Sequence, residues 1–392
     1  MTERQQYPRA CAQPYCVYIH VPFCARKCAY CDFFSIPCAG EARCLVKEWF
    51  DIIRREMLLW ADLDDPNRSR PITTVYIGGG TPSLADDETI WAFLNFVRSE
   101  FQVEPRVEIT IEMRPGTASG QVIEGYARAG VTRFSVGVQT FNQSLLDSAG
   151  RGHTVQQSHD MLRQTAQAGI VSADLISGWP GQTFEQWKAD LSEMLSFNPP
   201  HISAYEMTFH TGTPFGDRIH NGSIRPHDEE CRIAFFEETS RMLARAGYEH
   251  YEISNYSCPG LRSRHNENYW KLGDYIGFGA GAHSFVFPHR YLNDNDIERY
   301  ASTIRAGRLF RRLSDSADHD LFILENLQMA LRLTDGADLD LFANRFGMDV
   351  RVACADKLAV LIEQGLAQLS DSRMKLTMSG MMRMDSIIEY LL

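Results

Sequence analysis

The sequence predicts an α/β fold in which a parallel sheet is wrapped by helices and followed by a smaller helical module. Three observations carry this. Six short runs rich in Val, Ile and Tyr are spaced through the first half of the chain: Cys16–Val21, Thr73–Ile77, Val107–Glu112, Arg133–Val138, Val171–Ile176 and His201–Glu206. Segments with helical spacing separate them, and the pattern changes character after Thr213. Strands that alternate with helices form parallel βαβ units with right-handed crossovers. The result is either a doubly wound sheet or a barrel two units short of the usual eight.

Each element follows from local pattern. The six runs are bounded by Gly or Pro, as strands are. Val46, Trp49, Phe50, Ile53 and Met57 form one apolar helical stripe. Ile90, Phe93, Leu94, Val97 and Phe101 form a second, and Trp187, Leu191, Met194 and Leu195 a third. Past Thr213, Ile233, Phe236, Leu243 and Gly247 mark a further helix, and Tyr248–Ile253 reads as a strand. The stretch Asn255–His289 is rich in Gly and aromatic residues and carries little periodicity. From about Ser314, helices are expected at Asp320–Leu333, Leu339–Phe346 and Val350–Gly365, then short strands at Ala367–Leu369 and Met374–Leu376. Helices before a small strand pair suggest a winged-helix-like module. The expected division is 1–213, 214–313 and 314–392.

Composition narrows the function. The chain has 392 residues, of which 44% are apolar and 23% charged, the profile of a globular protein. Its 39 basic and 50 acidic residues give a net charge of −11, which argues against a nucleic-acid partner. No apolar run approaches the roughly 18 residues that span a bilayer, and the first fifteen residues are polar, so a cytoplasmic protein is expected. Of ten cysteines, Cys11, Cys16, Cys24, Cys28, Cys31, Cys38 and Cys44 crowd the first 44 residues. In a reducing compartment such a cluster reads as a metal site.

In parallel α/β folds reactive groups gather at the carboxyl ends of the strands. Here the first strand runs into Cys24-Ala-Arg-Lys-Cys28-Ala-Tyr-Cys31, and the second ends in Gly78-Gly79-Gly80-Thr81-Pro82. The others end at Glu112, Gln139, Asp174 and Glu206. Three thiolates so spaced can converge from one loop on a 4Fe–4S cluster and leave one iron open. A zinc site closed by His20 is the alternative, with the histidine less well placed on its strand. The glycine run lets backbone approach a ligand closely and exposes N–H groups to a carboxylate or phosphate. Glu112 and Asp174 can accept bonds from ribose hydroxyls or an ammonium group, and Arg151 can pair bidentately with a carboxylate. Together they describe a pocket for a zwitterionic nucleoside.

The sequence resembles the radical S-adenosylmethionine (radical SAM) superfamily, and within it the oxygen-independent coproporphyrinogen III oxidase-like group, nearest its heme-chaperone branch. The resemblance rests on Tyr18-Ile-His-Val-Pro-Phe-Cys24, the C-x-x-x-C-x-x-C loop, Gly78-Gly-Gly-Thr-Pro-Ser83, Arg133-Phe-Ser-Val-Gly-Val-Gln139 and Asp174-Leu-Ile-Ser-Gly-Trp-Pro-Gly-Gln-Thr183. It continues through Gly247-Tyr-Glu-His-Tyr-Glu-Ile-Ser-Asn255, His265-Asn-Glu-Asn-Tyr-Trp270, Gly277-Phe-Gly-Ala-Gly-Ala-His-Ser284 and Leu376-Thr-Met-Ser-Gly380, covering residues 16 to 390. It implies a partial (β/α)6 barrel holding a 4Fe–4S cluster on Cys24, Cys28 and Cys31. S-adenosyl-L-methionine would chelate the open iron, and Tyr18, Tyr30, Gly79, Gly80, Thr81, Glu112, Gln139, Arg151 and Asp174 would contact it. In the family, one electron from the cluster cleaves the sulfonium to a 5′-deoxyadenosyl radical, so an electron donor such as flavodoxin or ferredoxin is implied.

The resemblance also implies heme, associated with the block His265-Asn266-Glu267-Asn268-Tyr269-Trp270. Read without it, that block is a loop packed by two aromatics with His265 hydrogen-bonded in the core. Resemblance to the chaperone branch implies hand-over of heme to respiratory or membrane proteins and a peripheral place at the membrane. The catalytic branch methylates or cyclopropanates an aromatic small molecule. Three departures from the family pattern stand out. Phe33 occupies the position of a further cysteine found in true coproporphyrinogen oxidases, whose longer N-terminal segment is also not matched before Cys24. Met113-Arg114 replaces the common Ala-Asn, and Gly152 replaces a larger apolar residue. Cys11, Cys16, Cys38 and Cys44 carry no assigned role.

Overall fold

The computed structural model describes residues 14–38, 40, 42–62, 70–313 and 319–391; Cys11 lies outside them. The first strand, β1 (Tyr15–Val21), is followed by two two-residue strands, β2 (Phe23–Cys24) and β3 (Ile36–Pro37). Then helix and strand alternate: α1 (Ala42–Asp62), β4 (Ile72–Gly79), α2 (Asp87–Glu100), β5 (Val103–Met113), α3 (Gly120–Ala129) and β6 (Arg133–Gln139). There follow α4 (Gln143–Ser148), α5 (Val155–Ala168), β7 (Ile170–Ser177), α6 (Phe184–Phe197) and β8 (His201–Glu206). All six expected strands are present, most of them a residue or more longer than the apolar run that signalled them.

β1, β4, β5, β6, β7 and β8 pair in that order, every pair parallel. This is the (β/α)6 arrangement, an α/β fold with helices packed outside. Phe93 and Leu94 on α2 and Trp49 and Phe50 on α1 are buried against the sheet. Burying one such side chain contributes roughly 1.5–3 kcal/mol. The helices begin where the sequence supplies caps: Asp86 accepts the Thr89 N–H at 2.7 Å, and Thr154 and Thr183 form capping boxes with Gln157 and Gln186.

After β8 come α7 (Pro214–His220), α8 (Glu229–Arg245), β9 (Glu249–Glu252) and β10 (Asn255–Ser257). β10 pairs antiparallel with β8 and β9 antiparallel with β10, extending the far edge of the sheet. On α8 the buried residues are Phe235, Thr239 and Leu243, so the expected stripe is shifted by one position from Phe236.

The stretch from Asn255 to His289, whose sequence carries little periodicity, is built of short regular elements, a small α+β region as expected. It holds β10, a helix α9 (Arg264–Trp270), β11 (Tyr275–Phe278), β12 (His283–Val286) and the start of β13 (His289–Asn293). β11 lies parallel to β1, and β12 and β13 then return antiparallel, followed by α10 (Ile297–Arg305) and β14 (Arg311–Leu313) at the sheet edge. The strands are short, so no period builds up in the sequence. The expected loop at His265–Trp270 is therefore a helix, capped by Ser263.

The last part holds α11 (His319–Ala330), β15 (Ala337–Asp338), α12 (Leu339–Phe346), α13 (Val350–Ala353) and α14 (Ala355–Glu363). It ends in β16 (Ala367–Leu369), β17 (Arg373–Leu376), α15 (Met378–Met381) and α16 (Met384–Leu391). The helix expected over Val350–Gly365 breaks at Cys354, whose φ and ψ of −118° and 23° are not helical. β15, unforeseen, makes the strand pair a three-stranded sheet. This part shares a core with the β11–β12 region: Leu272 and Phe285 are buried among Phe322, Phe342 and Phe346. An ionic knot reinforces the junction, with Asp274 accepting from Arg70 at 2.8 Å and from Arg345 at 3.1 Å.

Candidate functional site

The two ends of the barrel differ. At the amino ends of the strands Arg133 is buried, donating to Glu108 at 3.1 Å, to Ser172 at 3.0 Å and to the carbonyls of Leu261 and Arg262. Each guanidinium nitrogen has an acceptor, so Arg133 plugs this end and serves stability. At the carboxyl ends the polar groups are left open.

There a cleft of about 310 Å³ is lined by Cys24, Cys28, Cys31, Tyr30, Gly79, Gly80, Thr81, Glu112, Gln139, Arg151 and Asp174. That volume suits a small organic ligand. The cysteine loop is pinched shut by β2 and β3 pairing in parallel, with the Cys38 N–H on the Cys24 carbonyl at 2.7 Å. Ala29 pins its crown, donating to the Ala149 carbonyl and accepting from the Phe215 N–H, both at 2.9 Å. All three thiols face the cleft. Burial pushes Cys24 up, and burial with the neighbouring Cys28 and Cys24 pushes Cys31 up to about 11. Thiolates here are stable only beside a strong cation.

The glycine run follows the same loop. Gly80 donates to the Val21 carbonyl at 2.7 Å, and Thr81 donates to the Phe23 carbonyl at 2.8 Å and to Cys24 Sγ at 3.4 Å. A Cβ on Gly80 would sit 2.7 Å from the Phe23 carbonyl and 3.0 Å from Cys24 Sγ. Gly79 takes a φ of +112° with the His20 ring beneath it. Side chains at these positions would block the cradle.

Glu112 closes the next wall: its carboxylate accepts the Gly79 N–H at 2.9 Å and the Tyr76 hydroxyl at 3.0 Å. Asp174 accepts the Ser135 hydroxyl at 3.1 Å. Burial raises both, Glu112 to about 7 with Asp174 adding repulsion, and Asp174 to about 6 against the hydrogen bonds of Ser203 and Ser135. Arg151 reaches the Gly137 carbonyl at 2.6 Å and Cys28 Sγ at 3.8 Å. Two polar atoms of this wall lack partners: Gln139 Oε1 and Arg151 Nε are buried and unbonded. Gln139 also holds a φ of +72°, uncommon for a residue with a side chain, where β6 slips register against β7. Unpaired buried polar atoms and backbone strain in one cleft mark a ligand site. Among the described residues no three His, Cys, Asp or Glu side chains close on a single ion, and the thiols line a space rather than a point. The cysteines, the cradle beside Cys24 and the paired Glu112 and Asp174 fit an iron–sulfur cluster with a zwitterionic nucleoside beside it.

Two expected site residues lie elsewhere. Tyr18 is not in the cleft wall; its hydroxyl meets His20 Nδ1 at 2.9 Å and its ring stacks on Tyr76 at 6.1 Å. His265 lies behind Tyr76, stacked at 4.9 Å, with Nδ1 on Thr74 Oγ1 at 2.6 Å and Nε2 on Tyr269 Oη at 2.8 Å. It is 1% exposed, and burial lowers it to about 3, so it is neutral. The geometry matches the core alternative for this residue, carried on a helix rather than a loop. Tyr76, Ser135 and Arg114 line the cleft and were not anticipated. The period-two alternation of Thr74 and Tyr76 along their strand is a signal that marks Tyr76 as inward.

This barrel, with a three-cysteine loop after its first strand and a polar rim opposite, defines a radical SAM protein. Residues 18–194 match the Radical SAM superfamily, and residues 317–383 match the HemN C-terminal domain. Over 371 residues, 94% of each chain, the sequence is 31% identical to the heme chaperone HemW of Lactococcus lactis subsp. lactis. It is 34% identical over 361 residues, 91% of each chain, to the heme chaperone HemW of Escherichia coli. The fold superposes on the radical SAM enzyme coproporphyrinogen III oxidase (HemN) from Escherichia coli with a TM-score of 0.80, covering 97% of this chain and 90% of that one at 20% identity. The chain belongs to the HemW family. Its cofactors are those of radical SAM proteins, a 4Fe–4S cluster and S-adenosyl-L-methionine. Among the described residues no helix is long and apolar enough to cross a membrane.

Proposed function

We propose that this protein is a heme chaperone: it holds a 4Fe–4S cluster on Cys24, Cys28 and Cys31, binds S-adenosyl-L-methionine beside it, and passes heme to a recipient protein. The observation that carries the cofactor reading is the cleft wall, where Gln139 Oε1 and Arg151 Nε stand unpaired between the cysteine loop and two carboxylates. Gly79, Gly80 and Thr81 offer a close backbone edge, Glu112 and Asp174 take hydroxyl or ammonium groups, and Arg151 takes a carboxylate. When bound, the cluster supplies single electrons for sulfonium cleavage, drawn from a flavodoxin- or ferredoxin-type donor. The residues present orient the ligand and exclude water. Tyr30, packed edge-on against Trp179 at 5.4 Å, covers the floor.

Heme is the cargo, and its recipients are respiratory or membrane proteins reached from the cytoplasmic side. The support is the near full-length likeness to proteins called heme chaperones. Phe33, 63% exposed at the cleft mouth where coproporphyrinogen oxidases carry a cysteine, sets this chain apart from them. His265 is the proposed iron ligand. To serve, it must give up Thr74 or Tyr269, so heme uptake requires the seven-residue helix α9 to move.

The test is heme titration of reconstituted wild type, His265→Ala and Tyr269→Phe, with melting temperatures in parallel. Stoichiometric uptake is expected in the wild type, loss in His265→Ala, and faster uptake in Tyr269→Phe, which frees Nε2. Unchanged heme binding in His265→Ala, with only a lower melting temperature, would return His265 to a purely structural role. No heme uptake by the wild type would remove the chaperone reading.

A further inference from the structure

Two of the departures from the family pattern, Arg114 and Gly152, meet in space. Arg114 follows the end of β5, and its side chain runs along the cleft wall toward the cysteine loop. One guanidinium nitrogen donates to the Arg151 carbonyl, and the other reaches the Arg26 carbonyl at 3.4 Å, between Cys24 and Cys28. A Cβ on Gly152 would lie 3.3 Å from Arg114 Nη2, tight against it. The backbone there has a φ of +67°, which glycine adopts without strain. A side chain at 152 would press on the end of this guanidinium and shift it by a few tenths of an ångström or more.

The charge balance at this end of the cleft is unusual. Arg114 and Arg151 are neighbours, and among the described residues neither belongs to an ion pair with a carboxylate. Burial and the like charge of Arg151 lower Arg114, while Cys28 and Cys24 favour its charged form. Asp174 is a counter-charge to Arg151 beyond ion-pair distance, and two cations packed together with so little compensation are costly unless a further anion shares the site. A 4Fe–4S core on three thiolates is that anion: its charge is −1 when oxidised and −2 after one electron is added.

We propose that Arg114 is a positioning residue that raises the reduction potential of the cluster, its charge favouring the more negative, reduced state. The step concerned is the transfer of one electron from the donor protein to the cluster. No bond forms or breaks, and Arg114 keeps its protons throughout. The guanidinium also ties the cysteine loop to the turn carrying Arg151, so both cations are fixed before the electron arrives and little reorganisation follows. The inference rests on the proposed assignment of Cys24, Cys28 and Cys31 as cluster ligands.

The experiment is a potentiometric titration followed by the reduced-state EPR signal, on the full chain reconstituted with iron and sulfide and without S-adenosyl-L-methionine. Wild type, Arg114→Lys, Arg114→Gln and Gly152→Asn are compared. Asparagine tolerates the left-handed backbone, and its side chain displaces the guanidinium without removing it. Arg114→Gln should lower the reduced-to-oxidised ratio at fixed potential by about tenfold, which is about 59 mV for one electron. Gly152→Asn should move it in the same direction by less, and Arg114→Lys should stay within about threefold of wild type. A fully loaded Arg114→Gln protein titrating within threefold of wild type would overturn the proposal. If Arg114→Gln assembles no cluster, Gly152→Asn decides: an unshifted potential there overturns it equally. A wild type that takes up no cluster instead refutes the cysteine assignment, and no signal in any variant distinguishes that failure.

Discussion

Glu112→Gln should stabilise the empty protein and weaken its ligand binding, in opposite directions at the same pH. The carboxylate is held at about 7 rather than 4.5 because the cleft desolvates it and Asp174 stands near. Unfolding releases it to its ordinary value, so between pH 4.5 and 7 the folded chain binds the extra proton and loses stability as pH rises through that window. At pH 8 the full penalty is about 3 kcal/mol, and roughly 1–2 kcal/mol once water in the open cleft is allowed for. The amide keeps the shape: its oxygen still accepts the Gly79 N–H, and its nitrogen can donate to the Tyr76 oxygen. Glu112→Gln should therefore melt a few degrees above wild type at pH 8, with the gain fading toward pH 4.5. The ligand needs the opposite state. An ionised Glu112 accepts hydroxyl or ammonium protons, so wild-type affinity for S-adenosyl-L-methionine should fall about tenfold as pH drops from 8 to 6. Glu112→Gln should bind more weakly at pH 8 and show a flat profile. Calorimetric melts and titrations across this range test both arms. A variant that melts at or below wild type at pH 8, with an unaltered binding profile, would refute the reasoning.

Cys24→Ala, Cys28→Ala and Cys31→Ala should each abolish the visible charge-transfer absorbance and the EPR signal of the reduced cluster, whereas Cys38→Ala and Cys354→Ala should not; a fully loaded Cys28→Ala protein would overturn the assignment. Asp274→Ala should cost about 3–5 kcal/mol in denaturant unfolding, because it removes the carboxylate between the buried Arg70 and the partly buried Arg345; a loss below 1 kcal/mol would show the knot to be solvent-screened.

Much of the barrel is written locally. β-branched runs bounded by Gly or Pro, separated by helical stripes, announced six strands and their parallel order, and the spacing of Cys24, Cys28 and Cys31 announced a cluster loop. The polar ends Glu112, Gln139 and Asp174 were legible for the same reason: the carboxyl end of a strand is a position that sequence alone identifies once the strand is known. Short elements escaped, because β11 and β12 are each four residues long and bury their faces only through neighbours supplied by distant segments. The helical nature of His265–Trp270 was hidden likewise, a seven-residue helix being too short to show its period.

The sequence by itself determined which groups could take part; the tertiary structure decided which of them face one another. Tyr18 and His265 carry the same motif-level signal as Glu112, yet the packing of Tyr76 between them and the cleft turns both away. Arg114 and Gly152, 38 positions apart, read as two unrelated oddities along the chain. The close approach of the β5 end to the turn after α4 makes them a single feature: a guanidinium lies across a backbone that has no side chain to oppose it. Burial adds the last part, since a carboxyl at about 7 or an imidazole at about 3 reflects the low dielectric of a closed fold, which no residue carries in its own chemistry.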